Sequence, residues 1–221
     1  MQTTLNLSKL TQHPIFLVTF ALLAFAGNSI LCRIALDQNH IDAASFSSIR
    51  LLSGAVFLIL FLRLRFKKTI SVNVTHLPSA FALALYVLCF SFAYQFIETG
   101  TGALILFATV QLVMVVYARF QGQPARLYDW AGIAMALAGL TILVQPEGQD
   151  ISPLGVVLMI IAGMGWAAYT LFGKRSHVLT GDEAENTFLS PIMHNARSFL
   201  LALPISFVVS LVFVNDMHWQ A

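Results

Sequence analysis

Residues 61–100 read FLRLRFKKTISVNVTHLPSAFALALYVLCFSFAYQFIETG, in which four basic residues precede an uncharged apolar run of 21 residues, Leu77–Ile97. An α-helix needs about 20 apolar residues to cross about 30 Å of hydrocarbon. Leu77–Ile97 therefore has the length and composition of a membrane span. The basic segment before it is typical of a cytoplasmic loop. Together they predict a helical membrane protein.

Six further apolar runs occur along the chain. They are Ile15–Leu36, Ala44–Phe66, Thr101–Ala118, Tyr128–Val144, Pro153–Phe172 and Ser198–Val214. The 221 residues are 58% hydrophobic and only 10% charged, whereas about 25% of the residues of a soluble domain are charged. We therefore predict an all-α, multi-spanning membrane helix bundle of about seven transmembrane helices, with the lipid bilayer as its surroundings.

Basic residues occur in alternate gaps between these runs. The second gap carries Arg63, Arg65, Lys67 and Lys68, the fourth Arg119 and Arg126, and the sixth Lys174, Arg175 and Arg197, whereas the other gaps carry only acids. Because positive loops stay in the cytoplasm, we expect a multi-pass protein of the inner (plasma) membrane with a cytoplasmic N-terminus and an external C-terminus. The formal net charge of +2 does not indicate a nucleic-acid partner.

The first run has an alternative interpretation. Lys9, the apolar residues after it and Ala24-Phe25-Ala26 could form a signal peptide with a small-residue cleavage site. Cleavage would leave every later span in the same orientation, so the charge pattern does not decide between the two. The apolar run continues past Ala26 to Leu36, which favours an uncleaved span.

The sequence carries no motif for an enzyme, a metal or a cofactor. Cys32 and Cys89 lie inside apolar runs and form no Cys/His spacing that would hold zinc or a disulfide framework. Phosphate-binding glycine loops, HExxH and GxSxG are absent. We therefore expect neither an enzyme nor a bound cofactor, and any transport would have to run on a gradient.

The sixth run begins like the first. Pro14 precedes the first run and Pro153 the sixth, with Gly27-Asn28-Ser29 and Gly165-Trp166-Ala167 near their middles. A repeat of five spans crosses the membrane an odd number of times. Its second copy therefore enters the membrane from the opposite side, as in many secondary transporters. We expect one five-helix repeat over residues 1–150 and a partial second repeat of two helices over residues 151–221.

Several segments resemble the EamA-type permeases of the drug/metabolite transporter superfamily. The first are Phe25–Ser29 and Ala43–Arg50, similar to the family's first span and the entry into its second. The most specific is Ala93–Pro124, with its short turn at Glu98–Gly100, and Asp129–Gly139 is similar to the fifth span. The resemblance covers essentially the whole chain.

This resemblance implies ten spans in two inverted five-helix repeats, cytoplasmic termini and gradient-driven movement of small metabolites, often outward. The chain departs from the pattern at Gln123, where an acid is common, and in the absence of spans eight to ten before Ala221. On this interpretation the chain is either a fragment or a shorter relative that completes its pathway as a homodimer.

Two arginines lie at membrane depth, where charge usually marks a bundle interior or an aqueous cavity. Both Arg33 and Arg50 are within about two helical turns of the outer boundary, so their side chains could extend to the interface. Alternatively, they line an outer vestibule that attracts anions. Arg50 is deeper and lies in a family-like segment, and it is our candidate for substrate binding.

Further candidates for substrate binding are uncharged. Tyr94 and Gln95 lie near the end of the third run, with Tyr94 four residues before Glu98 and on its face. Glu98 is either a proton-coupling acid or an exposed loop carboxylate. Gln111 lies near mid-bilayer, where a buried amide needs a partner, and it either links helices or lines a cavity.

Asn28 and Trp166 occupy corresponding positions in the two repeat starts, and Tyr169 lies three residues after Trp166. We expect them to line a cavity, although packing and lipid contact are the common alternatives for aromatic residues. Gly132, Gly139, Gly163 and Gly165 predict close helix contacts.

Three functions remain compatible with the sequence. The best supported is a secondary transporter, a permease or exporter of a small-molecule substrate such as a metabolite or drug. A truncated, non-transporting membrane subunit is the alternative. A seven-span sensor or receptor is less well supported, because its usual N-terminus is external and the seventh run contains no lysine for a retinal.

Overall fold

A computed structural model of the chain describes residues 14–36, 41–123, 127–143, 152–179 and 189–213, and the fold is given for these residues. They form seven helices: α1 (Pro14–Leu36), α2 (Ala43–Phe66), α3 (Leu77–Ala93), α4 (Thr99–Phe120), α5 (Leu127–Leu143), α6 (Pro153–Leu179) and α7 (Leu189–Phe213). A single 3₁₀ turn, Val74–His76, leads into α3. The predicted all-α architecture is confirmed.

Six of these helices are long and apolar enough to cross a membrane. The exception is α5, whose 17 described residues make it the shortest together with α3, and α3 reaches span length only with the 3₁₀ turn before it. The helices expose many large apolar side chains, among them Phe20, Leu64 and Val212. Such surfaces are stable in lipid, so the prediction of a multi-spanning membrane bundle is confirmed.

Local signals explain how α2 begins and ends. Asp42 precedes its first turn, and the Asp42 carboxylate accepts a hydrogen bond from the Ser45 backbone N–H at 2.8 Å, a common way to satisfy the free N–H groups of a helix start. At the other end Lys67 adopts a left-handed conformation (φ 52°) and donates its backbone N–H to Arg63 O. This geometry ends the helix.

Three predicted boundaries were wrong, and one of them is the end of α6, which continues to Leu179 instead of Phe172. The helix α3 ends at Ala93 instead of Ile97, because the backbone N–H groups of residues 95–97 turn back to Phe92 and Ala93 carbonyls. Tyr94, Gln95 and Glu98 therefore do not form a helical ladder, and Glu98 precedes α4 as its N-cap residue. The helix α7 begins at Leu189, nine residues before Ser198, since His194 in its second turn is buried and contacts Ser79 of α3.

The bundle is organised around α3. It packs most extensively against α6 and also against α7 and α2. In addition, α6 packs against α4, and α2 packs against α7. In the apolar window of α3, 56% of residues are buried, compared with 11% for α1 and for α4. The helices α1 and α5 make few contacts with the rest of the described bundle. The interior around α3 is therefore where a protected site can form.

The two ends of the bundle differ in charge. At one end, which we call the Glu98 end, α1 and α3 finish, α2 and α4 begin, and Arg33 contacts Glu98. The opposite end, which we call the Lys67 end, holds the basic residues Arg63, Arg65, Lys67, Lys68 and Arg119 at the ends of α2 and α4. The assignment of the Lys67 end to the cytoplasm is a prediction from this asymmetry.

Candidate functional site

Trp166 occupies the middle of the bundle, 13 residues into the 27-residue α6. Its ring centroid lies 4.9 Å from that of Phe25 in α1, 5.4 Å from Tyr86 in α3 and 5.8 Å from Phe107 in α4. Each of these four residues is near the middle of its own helix. An indole at mid-bundle thus joins four helices in one group of aromatic rings.

A column of aromatic rings along α3 continues this group toward the Glu98 end. Tyr86, Phe90 and Tyr94 are spaced four apart, so they lie on one face of the helix. The Tyr86 and Phe90 centroids are 5.4 Å apart, and those of Phe90 and Tyr94 are 4.7 Å apart in an edge-to-face arrangement. We call these three residues, with Phe25, Phe107 and Trp166, the central aromatic cluster.

Arg50 of α2 lies against this cluster. Its Cζ is 5.0 Å from the Phe90 ring centroid and 5.6 Å from that of Tyr86, distances at which a guanidinium is attracted to a ring face. Its Nη2 donates to the Tyr86 hydroxyl at 3.2 Å. Its Nη1 is buried and has no hydrogen-bond partner among the described residues. Arg50 therefore contributes a positive charge to the wall of the cluster.

A second arginine fixes the turn that holds Tyr94. Arg33 Nη1 donates to the Tyr94 carbonyl oxygen at 2.7 Å, and Nη2 lies 3.3 Å from Glu98 Oε1. The Tyr94 ring itself is fully buried and lies against Gly102 of α4 so closely that a Cβ there would clash. Arg33 therefore pairs helices at the Glu98 end and does not enter the central aromatic cluster.

The structure brings three of the seven predicted substrate-binding residues together at the cluster. Tyr94 and Trp166 belong to the cluster and Arg50 lies against it, whereas Asn28 is half-buried on α1, three residues after Phe25 in the sequence. The side chains of Gln95 and Gln111 are exposed, and no described contact joins them to the cluster. Cys32, buried at 1% exposure, packs in the same core as Phe90 and Tyr94.

The seventh, Tyr169, lies one turn from Trp166 in a separate group toward the Lys67 end. Its hydroxyl donates to Asn195 Oδ1 at 2.6 Å, and its ring stacks on His194 with centroids 5.9 Å apart. His194 Nε2 is 2.9 Å from Ser79 Oγ, which is 3.0 Å from Ser198 Oγ. We call Ser79, His194 and Ser198 the serine–histidine cluster, and the imidazole of His76 lies beside it, 5.8 Å from His194.

Several residues of these groups were missed in the sequence. Tyr86 and Phe90 could have been found, because they continue the i, i+4 spacing that leads to Tyr94. His194 and Ser79 could not, since the contact joins α3 to α7 across 115 residues. Among the residues that the structure describes, no three His, Cys, Asp or Glu side chains come together as a metal site.

Of the four glycines predicted to make close helix contacts, the two on α6 make them. A Cβ at Gly163 would lie 2.7 Å from Thr109 Cβ, and one at Gly165 would lie 3.0 Å from Ala82 O. Gly132 and Gly139 of α5 would meet no described atom within 4 Å, so the prediction of close contacts at those two positions was wrong. The α6 glycines allow α6 to approach α3 and α4 closely enough to seat Trp166 at mid-bundle.

Comparisons with known proteins give one family model and several relatives. The model of the EamA-like transporter family matches residues 13–145. An uncharacterized protein of Pseudomonas aeruginosa is 38% identical over 208 residues, which are 94% of this chain and 68% of that protein. The uncharacterized inner membrane transporter YedA of Escherichia coli is 27% identical over 168 residues, 73% of this chain and 54% of that protein.

The uncharacterized transporter YoaV of Bacillus subtilis is 26% identical over 140 residues, 58% of this chain and 47% of that protein. The chain thus spans about two thirds of the Pseudomonas relative and about half of the two named transporters. No solved structure matches the chain.

Proposed function

The chain belongs to the EamA-like transporter family, and we propose that it is a secondary transporter of small organic solutes driven by a gradient. The observation that carries this proposal is the central aromatic cluster with Arg50 in its wall. Solute sites of transporters lie near the middle of the membrane where repeats meet. Rings from four helices converge at such a depth here.

The residues of the cluster suit a solute with both apolar and polar parts. Ligand sites combine mostly apolar and aromatic walls with a few polar groups that fix orientation. Trp166 and Phe90 supply ring faces, while Arg50 and the buried Tyr94 hydroxyl supply hydrogen-bonding groups. We propose Arg50, Tyr94, Trp166 and Asn28 as solute-contacting residues.

We also propose that α1–α5 form one repeat and that α6 and α7 begin a second, inverted one. The family match over residues 13–145 covers the first five helices, which supports this division. On this proposal α1 and α6 are equivalent, and they meet through Phe25 and Trp166. The helix α6 packs against α3 and α4, so we propose that α1 makes equivalent contacts with helices of a second copy in a homodimer.

The proposal is tested by measuring solute movement through the purified protein. Proteoliposomes containing the chain are loaded with a defined mixture of amino acids, nucleosides, sugars and organic acids, and efflux of each is followed by mass spectrometry. We expect at least one class to leave faster than from protein-free vesicles. Empty vesicles given an ion gradient should accumulate the same class, and this accumulation should stop when ionophores collapse the gradient.

Two outcomes would contradict the proposal. Equal efflux of every solute from protein-containing and protein-free vesicles would favour a non-transporting membrane subunit. Accumulation that persists without any ion or solute gradient would contradict gradient-driven movement. The same vesicles therefore test both parts of the proposal.

A further inference from the structure

The surroundings of Arg50 point to the chemical class of the solute. We propose that Arg50 binds the carboxylate of an organic acid whose apolar body lies against the central aromatic cluster. This inference rests on the proposed function, because it names the substrate class of the same site.

Arg50 lies deep in the bundle. It comes eight residues after the Asp42 cap, which is about 12 Å along the axis of α2 at 1.5 Å per residue. Its guanidinium contacts Tyr86 and Phe90, which lie in the half of α3 nearer the Glu98 end. A charge at such depth is costly, about 3 kcal/mol at the centre of a membrane helix by insertion scales.

No protein carboxylate offsets this cost among the described side chains. Glu98 pairs with Arg33 at 3.3 Å. Asp42 caps α2 and accepts the Ser45 N–H. The Arg33–Glu98 pair is the one salt bridge within the described part of the chain, so Arg50 has no acidic partner there. Buried charges are normally paired, and a bound anion would supply the missing charge.

The free donors of Arg50 are suited to a carboxylate. The two rings contact Arg50 near its Cζ, and the Tyr86 hydroxyl uses only Nη2. The buried Nη1 has no described partner. A guanidinium has five N–H donors in a fixed fork that matches two carboxylate oxygens. The aromatic rings beside it favour an organic acid over a small inorganic anion, because they offer apolar surface and no further positive charge.

A purely structural role for Arg50 gives a different expectation. If Arg50 only ties α2 to α3 through Tyr86 and Phe90, its loss would weaken the binding of acids and of neutral solutes alike. A carboxylate-binding role instead predicts a difference between an acid and its amide that depends on Arg50. Acid and amide have nearly the same shape, so the comparison isolates the charge.

The test is thermal unfolding of the purified chain with pairs of acids and amides. The probes are acetate and acetamide, benzoate and benzamide, and indole-3-acetate and indole-3-acetamide, each titrated at constant ionic strength. We expect the aromatic acids to raise the unfolding temperature more than their amides. In Arg50→Gln we expect this preference to disappear, with apparent affinity for the acid about tenfold or more lower.

Two further variants control this result. Arg119→Gln removes an exposed arginine at the end of α4 and should leave the preference for acids unchanged. Arg50→Lys keeps the charge but loses the fork, so it should keep a weaker preference. It serves as the test if Arg50→Gln does not fold. The inference would be overturned by equal shifts for acid and amide in the wild type. It would also be overturned by an unchanged preference in Arg50→Gln, or in Arg50→Lys where Arg50→Gln does not fold.

The outcomes for the site and for transport are separable. Solute efflux from proteoliposomes without any preference for acids would contradict the carboxylate site and leave the transporter proposal intact. Conversely, Arg50-dependent binding of acids without efflux of any solute would contradict transport and leave the site intact.

Discussion

Gly165 of α6 lies against the backbone of Tyr86 in α3, so that a Cβ at position 165 would be 3.0 Å from Tyr86 N and 3.3 Å from Tyr86 Cα. Tyr86 also contacts Trp166 and accepts a hydrogen bond from Arg50. The close approach of two helices and the position of two candidate site residues are therefore set by the same glycine. Backbone atoms cannot rotate away as a side chain can, so this contact has little tolerance.

Replacing this glycine should separate α3 from α6. We expect Gly165→Ala to lower the free energy of unfolding by about 1–3 kcal/mol, the usual effect of overpacking. Gly132→Ala is the matched control, because no described atom lies within 4 Å of its added Cβ and alanine favours the helix by about 1 kcal/mol. Thermal unfolding in detergent compares the two. Equal stability of both variants would contradict the packing described here.

The serine–histidine cluster should contribute to stability through buried hydrogen bonds. Ser79→Ala removes the hydroxyl that contacts both His194 and Ser198, and an unsatisfied buried group costs about 1–3 kcal/mol. Ser53→Ala, which removes an exposed hydroxyl bonded only to the Arg50 carbonyl, should change stability by less than about 0.5 kcal/mol. Denaturation of the two variants by urea or heat would show the difference. If Ser79→Ala is as stable as Ser53→Ala, the cluster does not stabilise the bundle.

The contacts of Arg33 predict that its removal destabilises the protein more than removal of its partner Glu98. Glu98→Gln breaks an ion pair whose side chains are partly exposed, 30% for Arg33 and 57% for Glu98. Such ion pairs contribute about 0–1 kcal/mol to the free energy of unfolding. Arg33→Gln also removes the 2.7 Å hydrogen bond to the Tyr94 carbonyl and should cost about 1 kcal/mol more. We expect added salt to reduce the effect of Glu98→Gln. A larger loss of stability for Glu98→Gln than for Arg33→Gln would contradict this assignment.

The membrane architecture could be predicted from the sequence because the bilayer acts on each helix separately. Every span must be about 20 apolar residues long whatever its neighbours are, so the apolar runs indicate the helices and their number. The start of α7 was missed for the opposite reason. His194 and Asn195 are polar, yet they continue the helix because Ser79 and Tyr169 of other helices bind them. A local sequence pattern does not reveal contacts between segments that are distant in the sequence.

The candidate site could be predicted only in part. Arg50 and Trp166 stand out because charge and an indole are rare at membrane depth. Phe107 and Phe90 do not, since aromatic residues in an apolar run are equally compatible with lipid. Gln111 stands out as a polar residue at the same depth, but its side chain is exposed. When every face of a helix is apolar, the sequence does not show how the helix is rotated about its axis.

The most direct test of the central claim compares the efflux of the transported solutes through Trp166→Ala and Gln111→Ala in proteoliposomes. Both variants are first checked by thermal unfolding so that only folded protein is compared. Because the Trp166 ring packs in the central aromatic cluster and the Gln111 side chain is exposed, we predict that Trp166→Ala loses most of the efflux and Gln111→Ala retains that of the wild type. Efflux that survives Trp166→Ala and is lost in Gln111→Ala would contradict a solute pathway through this cluster.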